Sequence, residues 1–162
     1  MTDLESLLAR LHYGTDSRVD VLIEKPAPGV HVLADAVRVE PGVGVVGNHS
    51  RVSWWKGKPV AGREVTAMAA EVLEALGADL AVPGDNLITR GLDLGHLQAG
   101  DRIEIGGAVL ERTSSMHRPC SLFARRISED ARRAVLATNT RGALFVVLEG
   151  GTMRTGDPIT LI

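Results

Sequence analysis

Cysteine occurs once in the 162 residues, as Cys120, and lysine only three times, as Lys25, Lys56 and Lys58. A single thiol cannot close an internal disulfide, nor can it supply the cysteine pairs or quartets of zinc and iron–sulfur sites, so a reducing compartment suits the chain. The three lysines all fall in or near expected loops, none placed as a Schiff-base lysine, and pyridoxal phosphate chemistry is not supported. The five histidines stand singly with no i, i+4 pair, which argues against a histidine-built metal cluster. Long apolar runs are missing as well. The longest, Ala143 to Leu148, is far too short to cross a membrane. The opening MTDLESLLARLHYG is charged from its third residue, unlike a signal peptide, and the expected location is cytoplasmic. Strong charge of one sign is absent too: the formal net charge is −2, with basic residues scattered among acidic ones, so a nucleic-acid duplex is not an expected partner.

Glycine and proline, by contrast, are plentiful. The 18 glycines and 7 prolines punctuate the chain too often for a helical bundle and favour many short strands. The length suits one domain, spanning 1–162, that buries roughly two-thirds of its unfolded surface. Thr2 and Glu5 have capping-box spacing, and Leu4, Leu7, Leu8 and Leu11 recur at helical intervals, so residues 1–14 read as an appended N-terminal helix. Strands are expected over Val19–Glu24 and, with imperfect alternation, over Val30–Glu40. The segment Arg63–Gly77 reads as a helix, with Thr66 as N-cap, Met68, Val72, Leu73 and Leu76 as its apolar stripe, and Glu64 and Glu71 as solvated charges. A second helix runs from Ser128 to about Ala137, ended by Asn139. The best hairpin is Arg102–Ile105, Gly106-Gly107, Ala108–Thr113, and Arg141–Glu149 is apolar enough for a central strand. Gly-Asp recurs at Gly100-Asp101 and Gly156-Asp157 before alternating isoleucines, which makes both aspartates turn-forming residues rather than acid/base groups.

Chemistry converges on Cys120. Pro119 holds the backbone before it rigid, and Arg118, Arg125 and Arg126 bring positive charge that favours the thiolate. The competing reading, a buried cysteine acting as a small hydrophobe, stands beside it. His117 is three residues away, but no hydrolase signature accompanies it. Trp54 and Trp55 point to opposite sides of a strand, where one can cover a pocket or both can seal the fold, and His49 is equally open.

The order GDNLITRGLDLGHLQAGDRIEIGGAVLE, then RPC, then RGALFVVLEGGTMRTGDPI, resembles the MOSC family, named after the C-terminal domain of molybdenum cofactor sulfurase. The resemblance covers roughly Val19 to Ile162. It implies a mainly β fold with a few helices, a closed or nearly closed β-barrel, in agreement with the strand count. It further implies a molybdenum–pterin cofactor, with Cys120 as metal ligand or as catalytic sulfur carrier, and Asn86, Thr89, Arg118 and Arg141 as candidates to hold a phosphate or oxyanion. Two functions follow from the resemblance. One is reduction of N-hydroxylated compounds with electrons from an electron-transfer protein; the other is a non-catalytic module that accepts persulfide sulfur from a cysteine desulfurase. The chain departs from the family at Gly47-Asn48-His49, where a carboxylate is expected after the glycine.

Overall fold

The computed structural model describes residues 1–49 and 62–162, together with the backbone of 54–55 and 58–59. The elements follow in chain order: α1 (Asp3–Ala9), β1 (Arg18–Ala27), β2 (Val30–Ala34), β3 (Ala36–Glu40), β4 (Gly44–Val45), β5 (Trp54–Trp55), β6 (Lys58–Pro59), β7 (Val65–Ala69) and α2 (Ala70–Ala75). Then come β8 (Leu87–Arg90), a 3₁₀ turn at Leu94–His96, β9 (Arg102–Ile105), β10 (Ala108–Arg112), α3 (Ser121–Arg126), α4 (Glu129–Thr138), β11 (Ala143–Glu149), β12 (Gly151–Arg154) and β13 (Ile159–Leu161).

Eight strands form one sheet in the order β13-β9-β10-β11-β7-β8-β1-β2, antiparallel except for the central parallel pair β7 and β8. A smaller sheet, β12-β3-β4, brings Val37, Val39 and Met153 into the core against β10 and β11. The central strands are buried on both faces: all of Val65–Ala69 is buried, as are Leu87, Ile88 and Thr89. That burial explains why these strands read as apolar runs with no alternation.

The expected barrel is not formed. The ladder ends at β13 on one side and β2 on the other, and no pairing joins these edges. The start of β1 meets the chain before β13 through one isolated bridge, Arg18 to Pro158, and the backbone hydrogen bonds Val19 N–H to Asp157 O, Gly156 N–H to Val19 O and Ile159 N–H to Ser17 O, a local contact that does not extend into a ladder. The architecture is a mixed α/β fold around an open sheet core, and the barrel expectation is corrected accordingly.

Local chemistry accounts for the helix ends. Thr2 and Glu5 form the reciprocal capping box of α1, Ser128 Oγ accepts from the Ala131 N–H at the start of α4, and Asn139 closes α4 with φ of 54°. The two Gly-Asp turns use their aspartates as expected: Asp101 accepts from the Gln98 N–H and Asp157 from the Arg154 N–H. The Arg63–Gly77 helix needs correction, because its first half is the strand β7. Thr66 is a buried strand residue whose Oγ1 accepts from the Asn86 N–H at 3.3 Å, and α2 has no side-chain cap. Glu64 and Glu71 are not solvated helix charges either. Glu64 accepts from the backbone N–H of Gly42 and Val147, and Glu71 from that of Gly91.

Candidate functional site

Asp85, in the turn leading into β8, is the centre of the site. It is 1 % exposed, and its carboxylate accepts from His117 Nε2 at 2.7 Å and Arg141 Nη1 at 2.6 Å. Desolvation alone would push this carboxyl up; the adjacent Arg141 and His117 reverse it and hold it well below the usual carboxylate range. His117 is itself held below its ordinary value by burial, against the pull of Asp85, and its Nε2–H donates to the carboxylate. Three segments far apart in sequence are thereby tied together: the turn before β8, the loop after β10 and the loop before β11.

The loop after β10 carries Cys120, which precedes α3 in extended conformation and is exposed. The exposure decides against the buried-hydrophobe reading. Partial burial pushes the thiol up, but backbone N–H groups of Phe123 and Leu122, then Arg141, outweigh it and bring the thiol below its ordinary value. The Phe123 ring of α3 lies under the Arg141 guanidinium, 5.0 Å from centroid to carbon, which links the arginine to the helix that follows the cysteine.

Cys120 lines a cavity of about 220 Å³ together with Asp85, His117, Arg141, Lys25, Arg63 and Arg126. Lys25 arrives because the register Leu22 to Leu87 carries the end of β1 past the start of β8. Its amine is lowered to about 8, first by burial and then by the neighbouring Arg63, Arg141 and Arg126, with Asp85 opposing. Gly84 has φ of +78°, and a Cβ there would sit 2.6 Å from His31 Nε2, so glycine lets the histidine close over the turn. His31 Nδ1 donates to Ala81 O at 2.8 Å.

Of the residues singled out from sequence, Cys120 and Arg141 meet in this cavity, and Asn86, Thr89 and Arg118 do not line it. Asn86 is buried and engaged elsewhere, its Nδ2 donating to Ile23 O at 3.0 Å and to Asn48 Oδ1 at 3.1 Å. Asn48 also accepts from the Lys25 N–H at 2.9 Å, so the residue standing where the family pattern has a carboxylate ties β1 to the turn before β8. Thr89 is fully buried, its Oγ1 without a partner among the described residues, and Arg118 is exposed. His49 lines the cavity, whereas the Trp54 and Trp55 side chains lie outside the described residues. Arg126, singled out from sequence as a cation near the thiol, lines the cavity as well, whereas sequence reading missed Asp85 and Lys25. Asp85 sits in a Gly-Asp turn like those at Asp101 and Asp157, and only its burial sets it apart.

The expectation of a protein-held molybdenum ion is also corrected. The described residues contain no group of three or more His, Cys, Asp or Glu side chains able to hold a metal ion. With one thiol, sulfur cannot pass from cysteine to cysteine within the chain. No described helix is long and apolar enough to cross a membrane.

This fold and its cysteine-lined cavity define a class. The sequence matches the MOSC domain over residues 58–160, and the chain belongs to that family. Crystal structures share the fold: the YUAD protein from Bacillus subtilis, 19 % identical with TM-score 0.68 over 90 % of this chain and 94 % of that one, and YiiM from Geobacillus stearothermophilus, 20 % identical with TM-score 0.64 over 90 % and 75 %. YiiM from Escherichia coli is similar at 20 % identity and TM-score 0.65, over 90 % of this chain and 69 % of that one. A search of curated proteins finds no match.

Proposed function

We propose that this MOSC chain is a non-catalytic sulfur carrier, in which Cys120 accepts sulfur as a persulfide from a partner cysteine desulfurase. The observation that carries the reading is an exposed thiol, held below its ordinary pKa, at a cavity with several cations. The Cys120 thiolate attacks the terminal sulfur of the donor's persulfide, a new S–S bond forms on Cys120, the donor's own S–S bond breaks, and the donor thiolate leaves with the electron pair. No net oxidation occurs. Arg141 stabilises the attacking thiolate, and its own position depends on Asp85. Arg118, exposed two residues before Cys120 and outside the cavity lining, is accessible to a docking donor.

The family implies a molybdenum–pterin group, which supplies oxygen- or sulfur-atom chemistry when bound. Lys25, Arg126 and Arg141 fit the anionic end of such a group. A cavity of about 220 Å³ is smaller than the ~300–1,000 Å³ common for larger organic ligands, which favours handling of the cofactor's sulfur over housing its ring system.

Anaerobic incubation with a cysteine desulfurase and L-cysteine, followed by intact-mass measurement, tests the proposal. The wild type is expected to gain one sulfur atom on Cys120, and Cys120→Ser none, with stability within about 1 kcal/mol of wild type because the side chain is exposed. A wild-type thiol that alkylates readily but never gains sulfur ends the carrier reading.

A further inference from the structure

The cavity beside Cys120 gathers more positive charge than acceptance from a protein donor requires. Lys25, Arg63, Arg126 and Arg141 line it, and Asp85 is the single carboxylate among the described lining residues. That carboxylate is already engaged by His117 and Arg141. Arg141 is only 7 % exposed, yet its buried Nε has no hydrogen-bond partner among the described residues. An arginine so deeply placed with a donor unused has its charge under-compensated by protein partners. Lys25 points the same way, since burial and three neighbouring guanidinium groups work against its protonation. Lys25, Arg126 and Arg141 lining one cavity with Asp85 as the single carboxylate among the described lining residues leave positive charge that suits a dianion. The volume, about 220 Å³, accommodates a small dianion.

We propose that this cavity binds a small sulfur oxyanion of the thiosulfate class and that Cys120 takes sulfane sulfur from it directly. The inference rests on Cys120 being a sulfur acceptor but needs no protein donor. Oxyanion oxygens pair with Arg141, Arg126 and Lys25, which orients the terminal sulfur of the anion toward the thiolate. Sγ attacks that sulfur, the S–S bond of Cys120 persulfide forms, the sulfur–sulfur bond of thiosulfate breaks, and sulfite leaves with the electron pair. Charge and atoms balance: a thiolate and a dianion become a persulfide anion and sulfite. An inert oxyanion such as sulfate meets the same cations but offers no sulfur, so it is a competitor.

The test uses the whole reduced protein under anaerobic conditions with sodium thiosulfate, following intact mass and released sulfite. Sulfite is expected to match the sulfur gained on Cys120, sulfate is expected to slow loading competitively, and Lys25→Met and Arg126→Ala are each expected to slow it by about tenfold or more. If one variant fails to fold, the other and the sulfate competition decide the matter. A protein that a cysteine desulfurase loads but thiosulfate does not overturns this inference and leaves the carrier reading standing. A protein loaded by neither overturns both. Loading at equal rates in wild type and variants, unaffected by sulfate, is bare reaction of an exposed thiol and also overturns the inference.

Discussion

A carboxylate removed from water keeps its charge only where hydrogen bonds and opposite charge replace the lost hydration, and Asp85 has both from His117 and Arg141. The pair also supports the arginine. Asp85→Ala leaves the Arg141 guanidinium buried and unpaired, and the expected loss is on the order of 3–5 kcal/mol in urea unfolding. Lys25 presents the opposite case, a cation that the fold disfavours. Its folded value of about 8 lies below the ordinary 10.5, so between these pH values the unfolded chain binds more protons than the folded one, and stability rises with pH across that window. Relative to Lys25→Met, which has no titrating amine, the wild type is expected to gain on the order of 1–2 kcal/mol from pH ~8 to ~10 after allowance for solvent screening. Chemical denaturation at a series of pH values measures the difference. No such gain in the wild type would mean that the amine is solvated and does not face the cavity cations.

Strand pairing decides where these side chains stand, and one glycine shows how little tolerance there is. Gly142 precedes β11 with φ of +123°, and a Cβ there would lie 1.9 Å from Ala67 O in β7. Backbone, not a flexible side-chain end, blocks that position. Gly142→Ala must open the β11–β7 ladder at Ala143 and Ala67, right beside Arg141, with an expected cost of about 3 kcal/mol or more. Gly77 offers the control. It has φ of +67° with nothing near the missing Cβ, so Gly77→Ala is expected to cost only about 1–2 kcal/mol of backbone strain. Thermal unfolding of the two variants side by side separates steric from torsional cost; equal shifts would contradict the close β11–β7 approach.

The large sheet stays open, and its two free edges, β13 and β2, differ in dress. β2 exposes Val30, Val32 and Leu33 beside His31, while β13 is only three residues long. On the far side, α1 packs against α4 and α2 and sends Leu8, 2 % exposed, into the main core. We propose that the helix is a working part of the same folding unit despite its place at the chain end. Leu8→Ala is then expected to cost about 2–4 kcal/mol while unfolding remains a single transition by both fluorescence and circular dichroism. A separate early transition, with the main one unmoved, would show that α1 folds onto the sheet independently.

Short-range chemistry was readable along the chain: the Thr2–Glu5 capping box, the Ser128 cap, the Asn139 stop, the hairpin read over Arg102–Thr113, whose second strand ends at Arg112, and the two Gly-Asp turns each depend on residues a few positions apart, and each is found. The ordered motifs around Cys120 carried the family. Tertiary structure alone revealed the rest, because burial and charge are properties of neighbours distant in sequence. Val65–Ala69 has helix-forming composition, yet it is a strand because β11 and β8 take its hydrogen bonds on either side. Whether a curved sheet closes depends on whether its last strand meets its first, and β13 and β2 do not. Asp85 looked like any turn aspartate until folding brought His117 from 32 residues away and Arg141 from 56, and withdrew the water that would have made their charges ordinary.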